Sequence, residues 1–196
     1  MKYSREHIQK VVQNKGYKWF NDDSNKGFDV NIVGIRNAAS KKVTNIFDDL
    51  LTISYKDNGV WQYKEYAATT DPGKKAMVEF HNKKGVARLV PGQYRGMHSL
   101  ALHQGKYEAL CQRKECTVYR DWNKDQVYDE IKTDTGIFGI NIHHAGTSST
   151  FVENWSEGCQ VFKKIVDFSD FLEICKKAAL VHGNSFTYTL IETKDL

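Results

Sequence analysis

Short β-prone runs separated by turn residues occupy the chain from residue 28 to about residue 162, and they constrain its fold more than any other feature. The runs include FDVNIVGIRN, LLTISYK, VWQYKEYAATT, GVARLVPG, HSLALH, YEALCQ, CTVYRD and GIFGINIHH. Many short strands with turn signals between them are typical of barrels and of packed pairs of sheets. We therefore predict that this part of the chain folds into a β-barrel or a β-sandwich.

Two helices are predicted, one before the strands and one near the C-terminus. Ser4 is a good N-cap for the first helix, which spans about residues 4–16. Ile8 and Val12 then recur at helical spacing until Gly16 offers a stop. The second helix is DFSDFLEICKKAALVHG, and the strand FTYTLIET follows it. Its predicted apolar stripe consists of Phe168, Phe171, Leu172, Cys175 and Ala179. The predicted fold class is α+β, mainly β.

The length of 196 residues suits one well-packed domain, so we expect residues 1–196 to form a single domain. The N-terminal segment has no apolar stretch of signal-peptide length, and no other segment is as long as a membrane span. We therefore expect a soluble protein made in the cytoplasm without a signal peptide. If it acts at a cell wall or in a virion, another route must deliver it.

The net charge of +4 comes from lysine pairs that are scattered along the chain with acidic residues between them. A surface that binds nucleic acid would carry a basic stripe with interleaved aromatic residues, and the sequence shows no such stripe. We therefore expect no nucleic-acid partner. A mild attraction to polyanionic surfaces, including bacterial cell wall, stays open.

The cysteines indicate reduced thiols, because no Cys-x-x-Cys pair is present and no secretory signal is recognised. Cys175 lies on the apolar stripe of the second predicted helix, which indicates a core position. Cys111 and Cys116 flank the predicted turn sequence QRKE, so a disulfide across that hairpin is the alternative to two free thiols. Cys159 lies in NWSEGCQVF, between a glycine and a β-prone run.

The run GIFGINIHH is predicted to be one strand that ends in two histidines. Phe138, Ile140 and Ile142 share one face, which we expect to be the core face. Asn141 and His143 share the opposite face with a glycine, while His144 falls at the edge where the chain turns outward. A histidine held at a strand end and partly exposed can serve as a general base.

Cys159 follows these histidines after a loop rich in glycine, serine and threonine, which can return the chain to the same end of the sheet. A thiolate is a far better nucleophile than a thiol, and a nearby imidazole can hold the pair as thiolate and imidazolium. The amides around Gly158 and Cys159 are candidates to bind an oxyanion. The alternative is a buried thiol with ordinary surface histidines.

The segment INIHHAG…NWSEGCQV resembles the active-site motif of the L,D-transpeptidase (YkuD-type) catalytic domain. The β-rich pattern upstream, with TTDPG and LVPGQYR, resembles divergent members of this family from phages and gut bacteria. The resemblance covers residues 136–162 most closely. It implies a mainly β fold in which Cys159 is the nucleophile and His143 is its base. It also implies that Ser156 supports the loop, and that a backbone carbonyl near His144 orients the imidazole.

Three positions depart from the family motif. His144 stands in place of a glycine, and Glu157 replaces a second histidine and puts a negative charge beside the thiol. Gln160 and Val161 occupy the positions of an apolar residue and an arginine, so the family's contact to a substrate carboxylate would need Arg95 or Arg120 instead. A register slip of one residue would exchange the faces of the histidines, so either His143 or His144 can be the base.

Other polar residues are candidates for the same site. His103 is placed near a strand end, and Trp155 and Gln160 flank the predicted nucleophile, so we include them with Asn141 among candidate site-lining residues. The segment DWNKDQVYD resembles a calcium loop, but it lacks the turn glycine and the bidentate glutamate, so an Asx-rich turn is the preferred interpretation. We expect no metal and no cofactor.

The sequence predicts a cysteine-dependent enzyme that transfers acyl groups of peptidoglycan stem peptides, to water as a hydrolase or to an amine as an L,D-transpeptidase. One alternative is a non-catalytic domain of the same fold that binds cell wall or builds a phage virion. Another is a cysteine hydrolase of a different amide or ester. An activated Cys159 is expected to react with alkylating agents well below pH 8, whereas a structural thiol is not.

Overall fold

The computed structural model describes residues 2–80, 82–147 and 149–196. The helices are α1 (Arg5–Asn14), α2 (Ala76–Glu79) and α3 (Ile165–His182), and a 3₁₀ turn covers Thr193–Asp195. The strands are β1 (Asn31–Arg36), β2 (Asp49–Asp57), β3 (Val60–Thr69), β4 (Val86–Leu89), β5 (Gly92–His103), β6 (Tyr107–Gln112), β7 (Cys116–Asp121), β8 (Lys132–Gly136), β9 (Ile142–His144), β10 (Gln160–Phe162) and β11 (Phe186–Glu192). The structure is therefore α+β and mainly β, as predicted.

Eight strands form a closed barrel in the order β1-β11-β5-β6-β9-β10-β3-β2. Most neighbours are antiparallel, but β1 pairs with β11 in parallel and β9 pairs with β10 in parallel. A second sheet of three strands, in the order β4-β7-β8, lies beside the barrel. Closure pairs both edges of the larger sheet, which removes the unpaired backbone groups of an open edge.

The main core fills the barrel and includes the buried face of α3. Phe168, Phe171, Leu172 and Cys175 of the predicted stripe are buried there, and Ala179 packs against the same cluster while partly buried. The helix ends at Gly183, whose φ of +86° lies in the left-handed region that glycine adopts without strain.

Helix α1 packs on the outer surface of the barrel. Ser4 caps it as predicted, because its hydroxyl accepts a hydrogen bond from the His7 N–H at 3.2 Å. Ile8 and Val12 are buried against the outward-facing residues Val33, Ile35 and Ile191. The helix ends at Asn14, slightly before the predicted stop at Gly16.

The prediction of one continuous strand from Gly136 to His144 was wrong. Strand β8 ends at Gly136, β9 begins at Ile142, and Gly139 between them has a φ of +76°. The Gln112 carboxamide oxygen accepts hydrogen bonds from the N–H groups of Phe138 and Ile140, at 3.0 and 2.9 Å. A side chain thus takes the place of a neighbouring strand, and the segment bulges beside the barrel.

All four cysteines are free thiols, so the hairpin disulfide between Cys111 and Cys116 is not formed. The Cys116 sulfur instead accepts a hydrogen bond from the Gln112 amide at 3.3 Å. In the three described ranges, the helices include none with the length and apolar character needed to cross a membrane.

Candidate active site

Parallel pairing of β9 with β10 brings the predicted nucleophile and base together. Val161 lies opposite His143 in the register of this pair, and Cys159 comes just before β10. Cys159 packs against a small cluster that contains Val161 and Ala145, and alternation along the strands puts its side chain on the same face as that of His143. His144 lies on the other face, where its ring contacts Tyr107 and Phe168, with centroids 4.6 and 5.2 Å apart.

The Cys159 thiol is partly exposed and is held by two backbone groups. It donates a hydrogen bond to the Gly139 carbonyl at 3.2 Å, and its sulfur lies 3.5 Å from the Asn141 N–H. Burial raises the pKa of the thiol to about 11, and the hydrogen bond from Asn141 offsets only part of that shift. The thiol is therefore protonated near neutral pH.

The His143 imidazole is oriented through its Nδ1 atom, which lies 3.0 Å from the His144 carbonyl oxygen and 3.3 Å from the Tyr107 hydroxyl. A carbonyl oxygen only accepts, so Nδ1 carries the proton and Nε2 keeps a free lone pair. This is the backbone contact that the resemblance predicts, and the tautomer is the one that a general base needs. Burial, together with the nearby His103, lowers the pKa of His143 to about 4.

The expectation of a thiolate–imidazolium pair is not met. A thiol with a pKa of about 11 and an imidazole with a pKa of about 4 are both neutral at pH 7. The physical reason is burial, which disfavours the charged form of each group more than the surrounding hydrogen bonds favour it. A reaction that used this pair would therefore need proton transfer from Cys159 to His143 to accompany attack on a substrate instead of preceding it.

The loop before Cys159 is fixed by Ser156 and Gly158. The buried Ser156 hydroxyl donates to the Cys159 carbonyl at 2.8 Å and accepts from the Gly158 N–H at 3.2 Å. Gly158 has a φ of +139°, and a Cβ at this position would lie 2.1 Å from the Ala87 carbonyl oxygen, so only glycine fits. Because Ser156 occupies the Gly158 N–H, that amide is not available to an oxyanion, contrary to the prediction.

The Cys159 N–H remains available. Within the described part of the chain, it donates to no backbone or side-chain acceptor. A carbonyl carbon attacked by the Cys159 sulfur places its oxygen close to the amide of the same residue, so this N–H can stabilise the developing negative charge.

A groove of about 910 Å³ opens over these groups. Six of the predicted site residues line it: Cys159, His143, His144, Asn141, His103 and Trp155. Trp155 is 43% exposed, so a large part of its surface is available to a ligand. Lys106 and Glu157 also line the groove and give it one side chain of each charge.

Gln160 was predicted to line the site, and that prediction was wrong. Its side chain is fully buried in the barrel, where its amide donates to the Gly158 carbonyl at 3.1 Å and its oxygen accepts from the Tyr188 hydroxyl at 2.7 Å. Alternation along β10 places it on the face opposite Cys159. Gln160 therefore holds the loop before Cys159 from inside the barrel.

Neither arginine considered for a substrate carboxylate reaches the groove. Arg95 lines a separate cavity of about 350 Å³, and Arg120 is bound to Asp134 and the Gly85 carbonyl, each at 3.3 Å. The cationic side chain that does line the groove is Lys106.

Sequence reasoning missed Tyr107, although a signal for it was present. The turn Gln104–Gly105–Lys106 joins two β-prone runs, and in the structure it sets His103 opposite Tyr107. A hairpin assignment from QGK would have placed this tyrosine beside the candidate histidines. Gln112, which shapes the bulge under the thiol, gave no comparable signal.

The candidate calcium loop is an Asx-rich turn, as preferred. The Asn123 amide donates to Asp125 and Asp129 at 3.0 and 2.9 Å, and the Asp129 N–H donates to Asp121 at 3.0 Å. A search of the described residues for three or more histidine, cysteine or acidic side chains able to hold a metal ion found no such group.

Comparisons of the chain with family models, with curated proteins and with solved structures gave no match. The functional interpretation therefore depends on the motif in the sequence and on the geometry of the groove.

Proposed function

We propose that this protein is a cysteine-dependent acyl transferase or hydrolase that acts on peptide stems of peptidoglycan. The observation that carries the proposal is the placement of the Cys159 thiol and the His143 imidazole on one face of paired strands, in one groove, with the imidazole held in the tautomer of a base. The choice of peptidoglycan as substrate class depends on the resemblance of the motif alone.

The reaction begins when the Cys159 sulfur attacks a peptide carbonyl carbon while Nε2 of His143 takes the thiol proton. The carbonyl oxygen becomes an oxyanion beside the Cys159 N–H. Collapse of this intermediate breaks the amide bond, and His143 returns the proton to the departing amine. The product is a thioester on Cys159.

The second half of the reaction releases the acyl group. His143 removes a proton from an amine or a water molecule, which attacks the thioester carbonyl and expels the Cys159 sulfur. The sulfur recovers a proton from His143. Transfer to an amine forms a cross-link, and transfer to water completes a hydrolysis.

A second function is a non-catalytic module of the same fold that binds cell wall or builds a virion. The observation that favours it is the Cys159 thiol, which is protonated at neutral pH and donates a hydrogen bond to Gly139. A structural cysteine would have both properties.

Mass spectrometry of defined muropeptides tests the proposal. The native protein should produce cleaved or cross-linked products, and Cys159→Ala should reduce the rate by at least about 10⁴-fold, since a covalent nucleophile has no substitute. Cys111→Ala is the matched control, because Cys111 is also a partly buried thiol near the groove strands. No products from the native protein would favour the binding module, and equal rates in both variants would contradict a nucleophilic role for Cys159.

A further inference from the structure

The ring of His103 lies flat against the ring of His143. The two centroids are 4.3 Å apart and the planes differ by 20°. His103 is at the end of β5 and is 7% exposed, so its ring has little freedom to move away. Any charge on His103 therefore acts directly on the face of the candidate base.

The tautomer of His103 follows from the hydrogen bonds of Asn141. The Asn141 oxygen accepts the Gln112 N–H at 2.8 Å, so the other end of the carboxamide, Nδ2, is the donor. Nδ2 lies 3.0 Å from Nδ1 of His103. Nδ1 must then be the unprotonated nitrogen of His103, and a proton added there would face the two N–H groups of the amide.

We propose that His103 is a positioning residue for His143, and that Asn141 holds His103 in the neutral form that this role requires. The proposal rests on the proposed function only where it concerns the rate of acyl transfer. A neutral ring stacked on His143 fixes the plane of the base and leaves it able to accept a proton. A protonated His103 would repel the positive charge that His143 acquires during the reaction.

Other titratable groups surround the stacked rings of His103 and His143, and the variants used to test the proposal keep all of them. They are Tyr107 of β6, His144 of β9, Lys106 of the turn, Cys111 of β6, and Cys159 and Glu157 of the following loop. Substitution of Asn141 by aspartate leaves all of them in place. It also keeps an oxygen for the Gln112 N–H.

Asn141→Asp is the sharpest test because it exchanges one donor for an acceptor. A carboxylate at 3.0 Å from Nδ1 favours protonated His103, so the pKa of His103 should rise by at least about one pH unit. The stacked cation should then push the titration of His143 to lower pH. Both shifts are measured by NMR titration of the imidazole nitrogens, with the seven histidines assigned through single variants.

His103→Phe in the Asn141→Asp background separates the stacked ring from the added carboxylate. Phenylalanine keeps a flat ring but cannot carry the proton. Acyl transfer should fall about 10- to 100-fold when Asn141→Asp is made in native protein, but should change less than about threefold when Asn141→Asp is added to His103→Phe. His103→Phe alone supplies the reference rate for the double variant.

The NMR titration and the rate measurement can each contradict the proposal independently. An unchanged His143 titration in Asn141→Asp would overturn the positioning role whatever the activity. An equal loss of rate from Asn141→Asp in the native and His103→Phe backgrounds would also overturn it, because the aspartate would then act without His103. Coupled titrations in a protein that processes no muropeptide would support the stacked pair and contradict the proposed function.

Discussion

Two clusters of buried titratable side chains lie in this fold, and they satisfy their polar atoms in opposite ways. The first is an ion network in which Arg36 pairs with Asp71 at 2.7 Å and Arg88 pairs with the same carboxylate at 2.9 Å. Arg36 also donates to the carbonyls of Leu89 and Thr70, at 2.8 and 3.0 Å. Every charge here has an opposite charge or a dipole against it.

The second cluster is the groove, whose buried reactive groups are neutral. The Cys159 thiol is protonated, and His143 and His103 have lowered pKa values because burial disfavours their charged forms. Among the residues that the structure describes, Nε2 of His143 and the Cys159 N–H make no hydrogen bond. Hydrogen-bond donors and acceptors without partners beside an open groove indicate a functional site. Donors and acceptors that are all paired indicate a structural role.

The largest expected effect concerns the groove and is the low chemical reactivity of the buried Cys159 thiol. The alkylation rate of Cys159 should rise about tenfold per pH unit up to about pH 11, because only the thiolate reacts. At pH 7.5 the rate should be about 300-fold below that of a thiol with an ordinary pKa of about 8.5. Mass spectrometry of alkylated peptides measures the rate for each cysteine separately.

The matched reference is Cys159 itself in the urea-unfolded chain, where burial is removed. Faster alkylation in the folded protein than in the unfolded chain at pH 7 would contradict the neutral pair. It would mean that His143 holds a thiolate before any substrate binds.

The next largest effect concerns the network and is a loss of stability. Arg36→Met should lower the free energy of unfolding by about 3–5 kcal/mol, because it leaves Asp71 short of a cation and two carbonyls without donors. His103→Phe in the groove should change it by less than about 1 kcal/mol. Urea unfolding of the two variants measures both values.

Arg113→Met controls for the loss of an arginine as such, because its guanidinium makes a hydrogen bond to the exposed Asn184 carbonyl. It should stay within about 0.5 kcal/mol of native. An equally small loss in the free energy of unfolding for Arg36→Met and Arg113→Met would mean that the paired charges of the network do not stabilise the fold.

The elements that local pattern specifies were predictable. Helix α1, helix α3 and most of the strand runs follow from periodicity and caps, because those signals lie within a few residues of each other. The face shared by Cys159 and His143 was also accessible from the motif. The bulge at Gly139 was not, since it depends on Gln112, which contacts Phe138 and Ile140 from a different strand.

Burial of the groove residues could not be predicted either. The motif suggested a charged thiolate pair, but the pKa values depend on how many neighbours from β5, β6 and the Gly139 segment cover the two groups. The inward direction of Gln160 likewise depends on where β10 begins. Sequence spacing predicts which residues meet, and three-dimensional packing decides their protonation.

The smallest expected effect is the pH dependence of stability, and its sign differs between the clusters. Burial and the neighbouring Asp71 carboxylate raise the pKa of Asp49 from 3.8 to about 7. Folded protein then binds more protons at Asp49 than unfolded protein does, so this residue makes stability fall as pH rises from about 4 to 7. His143, with its pKa lowered from 6.5 to about 4, makes stability rise with pH from about 4 to 6.5.

Asp49→Asn and His143→Phe remove these contributions one at a time. Relative to native protein, Asp49→Asn should become more stable as pH increases across that window, and His143→Phe should become less stable, each by about 1–3 kcal/mol. Unfolding in urea at pH 4.5, 5.5 and 6.5 measures the two differences. Slopes of the same sign would mean that one of the two groups keeps its charge inside the fold, because a buried acid and a buried base that are both held neutral give slopes of opposite sign.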